Sequence, residues 1–188
     1  GLGTKVTVVN RSETLLRHLD DELSSRFNQI ARDRFDVRIA NGTKLEETDT
    51  GVRLELDNGE SIEAEAILVA TGRTPNGDQM DVDKAGIELL ADARVSTDEF
   101  GRTTAEGVWA LGDVSSPYML KHVANAETRA VQHNLLHPED LRPLPHDNVP
   151  AAIFTHPQIA TVGLTEKQAR QKGFDVTVKV QNFGDVAY

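Results

Sequence analysis

Short apolar runs that end on a glycine or a polar residue constrain this chain more than any other feature. Lys5 to Val9 within KVTVVNR, AILVATG at 66–72 and GVWALGD at 107–113 each set β-branched or aliphatic residues side by side. Continuous runs of this kind suit strands buried on both faces, as in a parallel sheet, rather than the alternation of a half-solvated strand. After the first run, RHLDDELSSRFNQIARD places Leu19, Leu23, Phe27 and Ile30 at helical spacing, with acidic residues in the first turn. Strand, helix and further strands in this order imply an α/β fold.

The remaining pattern adds detail. DVRIANGTKLEET, GVRLELDNG and SIEAEAILVATG are strand-like pieces punctuated by DTG and DNGE, which reads as an antiparallel meander. A polar, irregular stretch runs from RTPNGD to Leu90, and ARVSTDEFGRTT holds a strand followed by a glycine-containing turn. A helix is expected from Leu120 to Leu136, with Leu120, Val123, Ala124, Val131 and Leu135 on one face and the small Ala126 and Ala130 allowing close packing. HPEDLRPLPHDNVP carries four of the seven prolines and reads as a linker. AAIFTHPQIATVGL suggests two short strands around a proline turn. TEKQARQKG is a helix with a threonine cap and a glycine stop, and FDVTVKVQNF alternates as a strand does. Gly1 and Gly3 look like the end of a preceding helix, and Tyr188 falls within an apparent sheet. The chain is therefore expected to be a piece of a longer one.

Composition narrows the function classes. Hydrophobic residues make up 38% of the 188, charged residues 27% and aromatics 5%, a globular balance. The net charge of −10 argues against nucleic acid or an acidic membrane as partner, since phosphate contacts need clustered Lys and Arg. No apolar run reaches bilayer-spanning length, and the first residues lack a signal-peptide pattern. With no cysteine there is no disulfide, thiolate nucleophile or thiolate metal site, and the six scattered histidines form no ligand pair, so no metal is expected.

Three stretches carry candidate chemistry. At the end of the first strand, Asn10 is followed by Arg11 and Arg17. In dinucleotide-binding folds an acidic residue at this point takes a ribose 2′-OH, whereas guanidinium groups suit a 2′-phosphate. On spacing alone, solvated arginines pairing with Glu13 and Asp20 are the plainer account. In VATGRTPN, Gly72 permits close backbone approach of a ligand and Arg73 could neutralise a pyrophosphate, although Pro75 and Asn76 also mark an ordinary turn. Asp113 follows an apolar run and precedes a helix start, a place for a polyol-binding carboxylate beside free N–H groups. Alone, it reads equally as a turn residue or cap.

In combination and in this order, KVTVVNR…LLR, ATGRTPN, GDVSSPYMLKHVA and VPAAIFTHPQIATVGLTEKQA resemble the pyridine nucleotide-disulfide oxidoreductases over the whole chain. The resemblance implies partial FAD- and NAD(P)-binding Rossmann-like domains plus the start of an α+β dimer-interface domain. Residues 1–75 would be the later part of the NAD(P)-binding domain, 76–147 the returning part of the FAD domain, and 148–188 the opening of the interface domain. It implies FAD and NADPH as cofactors and reduction of a small-molecule disulfide, with mycothione the expected one. A lipoamide dehydrogenase, another relative, or a catalytically inert structural fragment stands as the alternative. Asp113 would bind the ribitol of FAD, with the amides near Leu120 and Lys121 at the pyrimidine edge. Gly72 and Arg73 would border the dinucleotide cleft, and Arg11 and Arg17 would hold the 2′-phosphate. Asn10 would replace the glutamate of NADH-using members, and Ala152 would lend backbone to the nicotinamide side. The resemblance also implies a cytoplasmic homodimer. It places the family's CxxxxC pair and GxGxxG fingerprints before Gly1 and its catalytic His-Glu pair after Tyr188, so no catalytic residue is expected here. His122 would cap or pack near the flavin helix, and His156 would sit in a constrained turn.

Overall fold

Hydrogen-bond demand explains where the chain is regular and where it is not. The computed structural model describes residues 3–186; Gly1 and Tyr188, on which the expectations for the two chain ends rest, lie outside the described residues. The chain forms two compact units, one comprising residues up to Val69 together with those from Ala151, the other Ala70–Pro150.

In the first unit, strand β1 (Thr7–Asn10) runs parallel to β2 (Asp36–Ile39), with Val8 opposite Val37 and Asn10 opposite Ile39. Helix α1 (Asp21–Arg34) makes the crossover between them, the connection a parallel pair requires. Asp21 and Glu22 occupy its first turn and Arg32 and Arg34 its last, matching the helix dipole at both ends. The two-stranded sheet leaves β1 half-buried throughout, not buried on both faces as its run of valines suggests.

DVRIANGTKLEET is two strands, not one. After β2, the Ala40 N–H still bonds to the Asn10 carbonyl at 3.1 Å, and then Asn41 turns the chain away. The Asn41 backbone N–H and side-chain amide both donate to the Asp57 carboxylate, at 3.0 and 2.7 Å. Beyond that clamp, β3 (Gly42–Thr48), β4 (Gly51–Leu56) and β5 (Ser61–Ala64) form the expected antiparallel meander. Leu19, Ala31, Ala40 and Leu56 are its unit's buried apolar residues.

AILVATG does not become a strand. From Glu65 the chain has no ladder partner among the described residues, and Leu68 and Val69 are 88% and 69% exposed. The run has the side chains of a buried strand and no neighbour to bury it. FDVTVKVQNF fails likewise: no strand pairs with it among the described residues, and Phe174, Val178 and Val180 are exposed. The expectations for residues 151–173 hold. Strands β6 (Ala151–Ile153) and β7 (Ile159–Thr161) pair antiparallel around the His156–Pro157 turn. Helix α3 (Glu166–Gln171) starts on a reciprocal cap in which Thr165 Oγ1 accepts from the Gln168 N–H and the Gln168 side chain accepts from the Thr165 N–H.

The second unit is held by turns and one long helix, α2 (Lys121–Leu136). GVWALGD makes only an isolated bridge, Arg102 to Trp109, flanked by backbone bonds from Ala110 to Gly101 and from Thr103 to Val108. ARVSTDEFGRTT likewise yields only isolated bridges, at Val95 and at Arg102, and between them a turn closed by the Asp98 carboxylate, which accepts from the N–H groups of Phe100 and Arg102. The proline-rich stretch 137–150 lacks regular structure, yet it is no free linker. Buried Asn134 donates to the Phe100 and Arg142 carbonyls and accepts from the Arg142 N–H at 2.7 Å, stitching that stretch to α2. Among the described residues no helix is long and apolar enough to cross a membrane.

The β3–β4 turn offers a test of this fold. A Cβ at Gly51 would stand 2.2 Å from the Ala64 carbonyl oxygen and 2.8 Å from the Glu65 α-carbon, both backbone atoms. Gly51→Ala is expected to destabilise the protein by about 1–3 kcal/mol, as overpacking against backbone does. A lowered urea midpoint would show it.

Candidate functional site

The apolar face of α2 carries an unexpected charge. Its buried residues are Val123, Glu127, Val131 and Asn134, spaced four, four and three apart, so they form one stripe. Leu135, expected on that face, is 57% exposed. Glu127 has no exposed surface at all. A carboxylate in that position is tolerable only if its lone pairs are filled. Glu127 Oε2 accepts from the Gly112 N–H at 2.7 Å, and Oε1 lies 2.6 Å from His146 Nε2. Burial pushes the Glu127 carboxyl up, but the bonds from Ser116, His146 and the Gly112 N–H outweigh it and hold the group below its usual value.

These bonds shape the turn Gly112–Val114. Gly112 has φ of +71°, where a side chain is strained, and its carbonyl accepts from the Ser115 and Ser116 N–H groups at 3.0 and 2.7 Å. A Cβ on Gly112 would meet the Ala124 side chain at 3.5 Å, so the turn rests against the second turn of α2. Asp113 emerges from this fixed backbone with an exposed carboxylate, 3.5 Å from the Arg73 guanidinium. Arg73 also donates to the Met119 carbonyl at 3.3 Å. Gly72, beside it, has φ of +132° and open space around its α-carbon.

Leu120 precedes α2 in extended backbone, and its carbonyl accepts from Ala124. The N–H groups of Lys121, His122 and Val123 thus open the helix without intrahelical acceptors. Lys121 is exposed and donates to Asn125 Oδ1 at 2.6 Å. His122 Nε2 lies 2.9 Å from the Pro150 carbonyl oxygen, a tie to the 137–150 stretch. The second unit therefore gathers Gly72, Arg73, Asp113, Leu120 and Lys121.

The first unit holds the other candidates. Asn10 ends β1 and donates through its amide to the Ser12 carbonyl. Arg11 and Arg17 stand exposed on the loop that follows. Among the described residues neither forms an ion pair with Glu13 or Asp20; the Asp20 carboxylate accepts instead from the Glu166 N–H at 2.7 Å. The loop itself is pinned by α1. Asn28 accepts from the Leu15 N–H and donates to its carbonyl, and buried Ser24 donates to the Leu16 carbonyl at 2.8 Å. Ala152 lies on β6 opposite Ala160, with an exposed side chain.

Sequence reasoning missed Glu127, His146, Asn28 and Asn134. For Glu127 and Asn134 a signal existed: each interrupts an apolar stripe at helical spacing. His146 and Asn28 carried none, because their partners are set by how distant loops fold back.

The donor sets suit a dinucleotide and a flavin. An exposed carboxylate beside open helix N–H groups matches a polyol joined to an anionic ring edge, and free guanidinium groups near a strand end match phosphate. Residues 1–130 match the pyridine nucleotide-disulphide oxidoreductase family, and 149–188 match that family's dimerisation domain. The chain belongs to the pyridine nucleotide-disulphide oxidoreductases. It is 53% identical over its whole length to mycothione reductase of Mycobacterium tuberculosis strain H37Rv, covering 42% of that protein. It is 33% identical to glutathione reductase of Burkholderia cepacia, with 95% of the chain and 40% of the relative covered. The HOCl-induced flavoprotein disulfide reductase RclA from Escherichia coli superposes with a TM-score of 0.82 at 28% identity, over 92% of this chain and 40% of that one. The chain thus spans about two fifths of the relatives it matches.

The buried carboxylate sets a pH dependence. Its folded value is depressed, so its contribution to stability is present above the ordinary carboxylate range and is lost as pH falls through the lowered value. Asp57 and Asp98 are lowered too, so the contrast with Glu127→Gln isolates this residue. Urea midpoints measured from neutral pH downward are expected to fall more steeply for the natural protein than for the variant.

Proposed function

We propose that this chain belongs to an FAD-dependent, NADPH-oxidising reductase that converts mycothione to mycothiol. The observation that carries the flavin reading is the exposed Asp113 carboxylate, held on a turn locked against α2 and set 3.5 Å from Arg73. In this reading residues 1–75 belong to the NADP-binding domain, 76–147 to the FAD domain and 148–188 to the interface domain of a cytoplasmic homodimer.

The net reaction is the reduction of one disulfide by NADPH and a proton to two thiols and NADP⁺. FAD, when bound, supplies the two-electron chemistry. The chain's own residues bind and orient. Asp113 accepts hydroxyl hydrogen bonds from the ribityl chain, and the N–H groups at Leu120 and Lys121 favour negative charge at the ring edge. Gly72 leaves room for the dinucleotide and Arg73 offsets its phosphate charge. Arg11 and Arg17 bind the 2′-phosphate; Asn10, uncharged, does not repel it. Ala152 offers backbone to the nicotinamide. In this reading the chain, which holds no cysteine, contributes cofactor-binding residues and takes no part in the thiol chemistry.

Likeness to mycothione reductase across the whole chain supports the substrate. The intact gene product should oxidise NADPH with mycothione and not with lipoamide or glutathione disulfide; turnover with lipoamide alone would overturn the assignment. Replacing Arg11 and Arg17 by glutamine should raise KM for NADPH by about ten- to a hundredfold, the range of charged hydrogen bonds, and leave KM for NADH nearly unchanged. Equal effects on the two nucleotides would make them surface charges only.

A further inference from the structure

Two anchors hold the turn that presents Asp113: the Val95 N–H, which donates to the Val114 carbonyl at 2.8 Å, and the backbone of Gly112. Its carbonyl is held by two serine N–H groups, and its own N–H points into the interior, where a carboxylate receives it. Glu127 is the seventh residue of α2, about 9 Å along the axis from the helix start. The bond from Gly112 therefore ties the turn that presents Asp113 directly to the helix whose N–H groups open beside it.

The second carboxylate oxygen faces away from the turn, toward His146 in the proline-rich stretch. His146 is itself oriented by Tyr118, whose ring meets it edge-on at 5.3 Å, and the Tyr118 hydroxyl donates to the His146 carbonyl. Ser116, whose N–H bonds to the Gly112 carbonyl, accepts through its hydroxyl from the Tyr118 N–H and so links the turn to that ring. A leucine here would fill space and leave the Gly112 N–H, a buried donor, without a partner.

We propose that Glu127 is a positioning residue for the flavin: by holding the Gly112 N–H it sets where Asp113 stands relative to the opening N–H groups of α2. His146 holds the carboxylate in that orientation. This rests on the assignment of Asp113 to the flavin ribityl chain.

The test uses apoprotein of the intact gene product, titrated with FAD and followed by quenching of flavin fluorescence. Glu127→Ala, shown to be folded by circular dichroism, should raise the Kd for FAD by about tenfold or more, and Glu127→Gln, which keeps an acceptor for Gly112, by no more than about threefold. A folded Glu127→Ala protein that binds FAD as tightly as the natural one overturns the proposal, as does a Glu127→Gln protein as weak as the alanine variant. If the alanine variant does not fold, the Gly112 amide proton in the Glu127→Gln apoprotein decides by NMR. It should move upfield, since its acceptor is no longer charged, and an unmoved resonance overturns the proposal. Failure of the natural protein to bind FAD, or an Asp113→Ala protein that binds it normally, would instead defeat the flavin reading itself.

Discussion

A carboxylate without a trace of exposed surface organises the second unit. Burying Glu127 would be costly alone, yet its oxygens meet a backbone N–H and an imidazole nitrogen. That arrangement joins three pieces far apart in sequence: the Gly112 turn, the middle of α2, and the irregular stretch containing His146. Few strands are available in this unit to satisfy backbone groups, so side chains take that role. Asn134 does the same two stripe positions further along, and Asp98 does it for the turn at Phe100.

The first unit solves a related problem with more backbone and fewer buried charges. A parallel pair with its crossover helix leaves a loop between β1 and α1, and α1 grips that loop through Asn28 and Ser24. The grip matters because the loop carries Arg11 and Arg17. Exposed guanidinium groups on a mobile loop would spend entropy on any phosphate they met, whereas a pinned loop has already lost that freedom. Asn41 and Asp57 then separate the parallel pair from the meander, letting one chain serve two sheet types.

Particular residues show what local pattern can and cannot disclose. Helices were legible because α1 and α2 announce themselves through spacing, and α3 through Thr165 and its glycine stop. The meander was legible from its turns. Buried strands were not: the apolar runs at AILVATG and GVWALGD describe an environment, and burial needs neighbours that the run does not encode. The same holds for FDVTVKVQNF, whose alternation suits a strand while its ladder partner is absent from the described residues.

Sequence by itself determined the α/β order, the family, and the identities of Asp113, Arg73, Arg11 and Arg17 as candidates, because helix periodicity, turn chemistry and motif order are local properties. It did not determine which of those residues meet. Only the tertiary structure decided that Arg73 stands beside Asp113, that Arg11 and Arg17 are free of Glu13 and Asp20, and that Glu127 faces inward. The reason is physical: a buried charge is stable only where distant parts of the chain bring it donors, and that convergence exists in three dimensions alone.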